Sequence, residues 1–158
     1  MAMTNDKTLI FLDTNILIRL HVATAPQHDD IRQAVKRLLT DNYELWVSRQ
    51  VLREYAAVLT RVQPYTTTPF NSGLVAQQLR LFETNYRIAD EVAPVTVQLC
   101  GLLETILVGG KQVHDANIVA TMVTYGIKQL FTFNRADFVR FSSYITIRSL
   151  EDILKEGN

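Results

Sequence analysis

The chain has 158 residues, with 16 Lys and Arg balanced by 16 Asp and Glu, and is 47% hydrophobic and 20% charged. These proportions exclude a disordered chain, and the length suits one domain of about 100–200 residues with a real core. A formal net charge of zero removes the simplest argument for a general nucleic-acid binder, which usually carries a basic excess, so a polyanionic partner must be held by a local patch.

The first predicted element is the unbroken apolar run Leu9–Leu12, which reads as a strand buried on both faces, as in a parallel sheet. It stops at Asp13 and is too short for a signal-peptide core or a membrane span. A helix follows over about Thr14–His21, with Ile16, Leu17 and Leu20 on one face. After Pro26 a second helix spans about Asp29–Thr40, and Leu45–Val47 is a short strand. Ser48 is a good N-cap for a helix reaching about Val62.

Residues 63–73 hold Pro64, Pro69 and three consecutive threonines, the composition of an exposed loop. A helix over about Asn71–Thr84 and a weak strand at Arg87–Ile88 come next. A longer helix starts near Pro94 and runs to about Val108, ended by Gly109 and Gly110. Another spans Asp115–Tyr125 and is closed by Gly126. Gln129–Phe133 and Tyr144–Ile147 are the last strands. Strands alternating with helices predict a parallel sheet between helical layers, with ligands at the carboxyl ends of the strands where the strand order reverses. The single cysteine, Cys100, cannot form an internal disulfide, which fits a reducing compartment. The expectation is a soluble, cytoplasmic protein.

Several polar side chains fall where a strand ends or a helix turns inward. Asp13 follows the most buried strand, where it can either cap the next helix or present a carboxylate at the sheet's carboxyl edge. Asp115 shares a helical face with Ile118, Val119 and Met122, so it points toward the core. Capping explains its place in a first turn but not its azimuth. Glu54 stacks between Val51 and Val58 on the rim of an apolar stripe, the position of a solvated side chain or a partner for Arg53 or Arg61. Asn134 and Asp137 lie just past the strand at Gln129–Phe133; a turn and a helix cap are the simpler roles for them.

Gathered together, such carboxylates repel one another unless a cation is present. Hard oxygen ligands select Mg²⁺ or Mn²⁺. Zinc is disfavoured, because His21, His28 and His114 lack ligand spacing and Cys100 lies mid-helix. A site of this kind suits hydrolysis of a phosphodiester by metal-activated water. Arg19, Arg49, Arg53, Lys111 and Arg135 are available for a substrate backbone, and His114 is either a phosphate contact or a surface or capping residue. No Walker loop, G-x-G-x-x-G turn or G-x-S-x-G elbow is present in the sequence. Asn15 stands where haloacid-dehalogenase phosphatases need a second Asp.

The segments Phe11–Leu17, Val51–Tyr55, His114–Ala120 and Leu130–Phe138, in this order, make the chain resemble PIN-domain proteins, and specifically VapC-like toxins of prokaryotic type II toxin–antitoxin systems. With the segments between them they cover nearly the whole chain. The resemblance implies a three-layer α/β/α fold with a mostly parallel sheet of four to five strands, filling residues 1–158 as one PIN-like domain with loop 63–73 as an exposed insertion. It implies an Mg²⁺- or Mn²⁺-dependent endoribonuclease in which Asp13 and Asp115 are the principal metal ligands and Glu54 completes an acidic triad.

Asn134 and Asp137 compete for the fourth position; Asn134 adds no charge, which leaves one or two metal ions open. Thr14, Asn15, Arg53, His114, Thr132 and Arg135 are the candidate substrate contacts. The implied partners are RNA, a VapB-like antitoxin and a second copy of the chain, with no membrane. The alternative is a PIN-like RNA-binding or scaffold module with weak or no catalysis. A third reading, an unrelated doubly wound domain with a strand-end Asp, is disfavoured by the lack of phosphate-loop glycines.

Overall fold

A computed structural model describes residues 6–156. Its strands are β1 (Thr8–Leu12), β2 (Tyr43–Ser48), β3 (Arg87–Ala89), β4 (Gln129–Phe131) and β5 (Thr146–Arg148). The helices are α1 (Thr14–His21), α2 (His28–Thr40), α3 (Arg49–Leu59), α4 (Ser72–Asn85), α5 (Ala93–Thr105), α6 (Gln112–Tyr125), α7 (Arg135–Phe138) and α8 (Leu150–Lys155), with a 3₁₀ turn at Val139–Phe141.

All strand pairs are parallel, in the order β3-β2-β1-β4-β5. The hydrophobic run of β1 therefore occupies the middle of the sheet, and Ile10, Phe11 and Leu12 are fully buried. With this strand order, the right-handed rule for parallel crossovers puts the helices joining β1, β2 and β3 over one face and those joining β3, β4 and β5 over the other. The helix contacts agree: α1 meets α2 and α3, and α3 meets α4, whereas α5 packs on α6 and α6 on α7. The strand order reverses between β1 and β4, the switch point where such sheets bind ligands.

Local signals position the elements around that point. Asp13 caps α1 through the backbone N–H of Thr14, and Ser48 caps α3 by accepting from the Val51 N–H. Gly126 ends α6 with φ of 71°, a left-handed conformation that glycine adopts without a Cβ penalty.

Several boundaries depart from the sequence expectation. Helix α3 ends at Leu59 rather than Val62, because Thr60 turns its hydroxyl back onto the Ala56 carbonyl and Gln63 takes the Val58 carbonyl at 2.7 Å. Helix α5 stops at Thr105 instead of Val108, where Ile106 becomes extended. Helix α6 starts at Gln112, a turn before Asp115 and with no side-chain cap. Strand β4 stops at Phe131, β5 begins two residues later than expected, and α8 was not anticipated. The loop before α4 is tied at its base, where the Phe70 N–H donates to the Leu59 carbonyl at 2.9 Å. Among the described residues no helix is long and apolar enough to cross a membrane.

Candidate active site

The end of β1 places Asp13 at the switch point, 5% exposed. Its Oδ1 accepts from the Thr14 N–H at 2.8 Å; its Oδ2 accepts from the Thr132 hydroxyl at 2.7 Å and the Asn15 amide at 3.2 Å. Burial outweighs these three donors and pushes the Asp13 carboxyl up to about 6. Thr132, just past β4, also accepts from the Asn134 N–H at 2.9 Å, so one hydroxyl ties the ends of two central strands together. Asn15 closes the same junction, its Oδ1 accepting from the Phe133 N–H at 3.2 Å.

Helix α3 brings in Glu54. Its Oε2 accepts from the Thr14 hydroxyl at 2.7 Å and its Oε1 from the Gln50 amide at 2.8 Å. The same Gln50 nitrogen donates to the His114 carbonyl at 2.9 Å, while the Gln50 oxygen accepts from Asn117 at 2.8 Å. Gln50 is buried and so fastens the helix of Glu54 to the first turns of the helix of Asp115.

Asp115 is half-buried above Ile118, Val119 and Met122, which lie within the core. Its carboxyl is pushed up to about 6, first by burial, then by the negative charges of Asp137, Asp13 and Glu54, with Arg140 opposing. Asp13, Glu54, Asp115 and Asn134 line one cleft of about 350 Å³, walled by Ile18, Val58 and Arg61. A larger groove of about 490 Å³ lies at the amino ends of the strands, lined by Lys7, His21 and Tyr43, away from the paired carboxylates.

The structure thus brings Asp13, Thr14, Asn15, Glu54, Asp115 and Asn134 to one cleft and places Thr132 directly behind Asp13. Asp137 is exposed but near enough to Asp115 to raise its carboxyl. Arg53 is exposed and engaged with Glu91 at 2.8 Å, and Arg135 pairs with Asp152 at 3.6 Å. His114 is exposed and joins the network through its backbone carbonyl. Sequence reasoning did not identify Gln50 or Asn117. The available signal was Gln50 at four residues before Glu54, on the same helical face.

A divalent cation fits the cleft in donor chemistry, since every ionisable ligand there is a carboxylate, the hard oxygen donor that Mg²⁺ and Mn²⁺ take. Two of these carboxyls are raised by burial and by neighbouring carboxylates, the condition that a cation relieves. Among the described residues, no group of three or more His, Cys, Asp or Glu already stands as a ready-made metal cluster.

Comparison with known proteins adds to this geometry. Similar solved structures include VapBC-1 from nontypeable Haemophilus influenzae, at a TM-score of 0.68 and 18% identity over 91% of this chain and 99% of that one. VapBC2 from Rickettsia felis, bound to a promoter DNA fragment, gives 0.63 and 19% over 90% and 98%. VapC20 from Mycobacterium tuberculosis, a sarcin–ricin loop cleaving toxin, gives 0.61 and 24% over 82% and 93%. Identities this low establish likeness of fold. No curated protein matches the chain. The family model of the PIN domain matches residues 10–143, which span the sheet from β1 to β4, every carboxylate of the cleft and α7; the chain belongs to the PIN domain family.

Proposed function

We propose that this chain is a divalent-metal-dependent endoribonuclease, the toxin of a VapBC-type toxin–antitoxin pair. The observation that carries the reading is the convergence of Asp13, Glu54 and Asp115, from three separate elements, on one cleft at the switch point of the sheet. Asp13 and Asp115 would hold Mg²⁺ or Mn²⁺, with Glu54 completing the set. When bound, such a cation supplies charge for activating water and stabilising the leaving oxygen of a phosphodiester.

The chain's own residues prepare for that chemistry. Thr132, Asn15 and the Thr14 N–H fix the Asp13 carboxylate, and Thr14 with Gln50 fixes Glu54. Asp13 and Asp115, with carboxyls near 6, must each give up their proton to hold a cation. Asn134 offers a neutral amide at the rim, able to orient a water or a substrate oxygen. Its lack of charge favours a second reading, an RNA-binding module without catalysis. Similarity to the VapBC structures supports a VapB-like antitoxin as partner; a second copy of the chain and a cytoplasmic setting belong to the same proposal.

Incubating total RNA with wild type and Asp115→Asn in Mg²⁺, Mn²⁺ or EDTA tests the reading. Discrete fragments that need the cation and disappear in the variant support the nuclease. Folded wild type that binds RNA without cutting it supports the binding module.

A further inference from the structure

The cleft is lined with negative charge, so a polyanion entering it needs cations whose charge is not already cancelled. Three arginines near the carboxyl edge of the sheet are ion-paired: Arg49 with Glu83 and Asp90, Arg53 with Glu91, Arg135 with Asp152. Among the described residues beside the cleft, three arginines have no carboxylate within ion-pair distance.

Arg61 lines the cleft wall, exposed, its Nε donating to the Ala57 carbonyl at 3.1 Å. Arg19, one turn along α1 from Asn15, donates from Nη1 to the Asn15 carbonyl at 3.1 Å and lies over the Phe133 ring at 4.3 Å. Arg140 donates from Nη1 to the Gln112 side-chain oxygen at 2.7 Å and the Leu107 carbonyl at 3.2 Å, a turn before Asp115 on α6. The Nε atoms of Arg19 and Arg140 are both buried without a hydrogen-bond partner.

Neutral carbonyls, an amide oxygen and an aromatic face thus orient these guanidinium groups without a direct ion pair, although Arg140 lies within electrostatic reach of Asp115. A planar, always-charged fork held in this way is suited to phosphate oxygens. We infer that Arg19, Arg61 and Arg140 are the phosphate-holding residues of this cleft, gripping the backbone of a single-stranded RNA on both sides of the carboxylates. The inference rests on the nuclease reading for its ligand and replaces Arg53 and Arg135 as the substrate cations.

The test uses the full chain in EDTA, which blocks cleavage, and a fluorescein-labelled single-stranded RNA of mixed sequence, about 20 nucleotides long. Anisotropy is read across about 50 to 200 mM KCl. Arg19→Gln, Arg61→Gln and Arg140→Gln should each weaken binding severalfold and reduce the salt slope by about 0.7, while Arg53→Gln and Arg135→Gln change neither. Arg19→Lys keeps the charge and should keep the slope, which separates charge loss from misfolding; thermal unfolding checks every variant. Wild-type binding that survives in all three glutamine variants, or falls equally in the two controls, overturns the inference and leaves the nuclease reading standing. Arginine-dependent binding without cation-dependent cleavage does the reverse. A wild-type chain that binds no RNA overturns both.

Discussion

The Thr132 hydroxyl donates a 2.7 Å hydrogen bond to Oδ2 of Asp13 across 119 residues of sequence. Both groups are buried, at the ends of adjacent central strands. The bond therefore holds the sheet closed at its switch point and favours the ionised form of a carboxyl that burial otherwise keeps protonated. Thr132→Val, which keeps the shape and removes the donor, should raise the Asp13 pKa further and cost about 1–3 kcal/mol at neutral pH. The cost should shrink below about pH 5, where Asp13 is protonated. Urea unfolding at the two pH values checks both statements, and equal loss at both would contradict them.

Asp13 and Asp115 should make stability in metal-free buffer fall as pH rises, against His21, whose imidazole burial holds down at about 4 and whose contribution rises over the same range. Asp13 and Asp115 have carboxyls at about 6 in the folded chain against 3.8 unperturbed. Raised acids bind protons more tightly in the folded than in the unfolded state. Between about pH 4 and pH 6 the folded state therefore carries more protons, and the free energy of unfolding declines with pH. Above that window the full penalty is present, roughly 3 kcal/mol for buried Asp13. Thermal melts in EDTA across the window should show wild type losing stability relative to Asp115→Asn, which shares His21, and adding Mg²⁺ at neutral pH should restore the wild-type melting temperature. A difference between the two proteins that stays flat across the window would contradict the prediction.

Asp115→Asn removes a charge repelled by Asp137, Asp13 and Glu54. In EDTA at neutral pH the variant should be as stable as wild type or more so, whereas in Mg²⁺ wild type should gain and the variant should not. A clear loss of stability in EDTA would assign Asp115 a structural capping role instead.

Gln50 is the least replaceable neutral residue of the network. Gln50→Leu leaves the His114 carbonyl and the Asn117 amide without their partner and deprives Glu54 of a donor. A loss of about 1–3 kcal/mol is expected, with a weaker response of melting temperature to Mn²⁺ because Glu54 is no longer aimed. Unchanged Mn²⁺ response in a destabilised variant would limit Gln50 to packing.

Much of this arrangement could be read from the residues. The uninterrupted run before Asp13 announced a strand buried on both faces, because four apolar residues in a row suit a strand covered by helices on either side. The azimuth of Asp115 over Ile118, Val119 and Met122 announced a carboxylate turned inward, and those three residues are in the core. Glu54 was harder, since a rim position on α3 does not reveal the Thr14 hydroxyl 40 residues away. Arg53 looked as available as Arg19, because Glu91 is 38 residues distant in sequence and reaches it only in the folded chain. Helix α8 escaped notice because it is six residues long and buries only Ile153 fully, too little periodicity to register. Gln50 and Asn117 were missed because uncharged amides carry no sign of burial until their partners are known.

The measurement that bears most directly on the central claim is calorimetric titration of Mn²⁺ into the metal-free chain at about pH 6, where both carboxyls are part protonated, in two buffers of different ionisation enthalpy. The account predicts saturable binding by wild type with proton release, as carboxyls near 6 give up protons to the cation. It predicts loss of that binding in both Asp13→Asn and Asp115→Asn. Binding of equal strength in those variants, or none in folded wild type, would contradict a cation site built on these carboxylates.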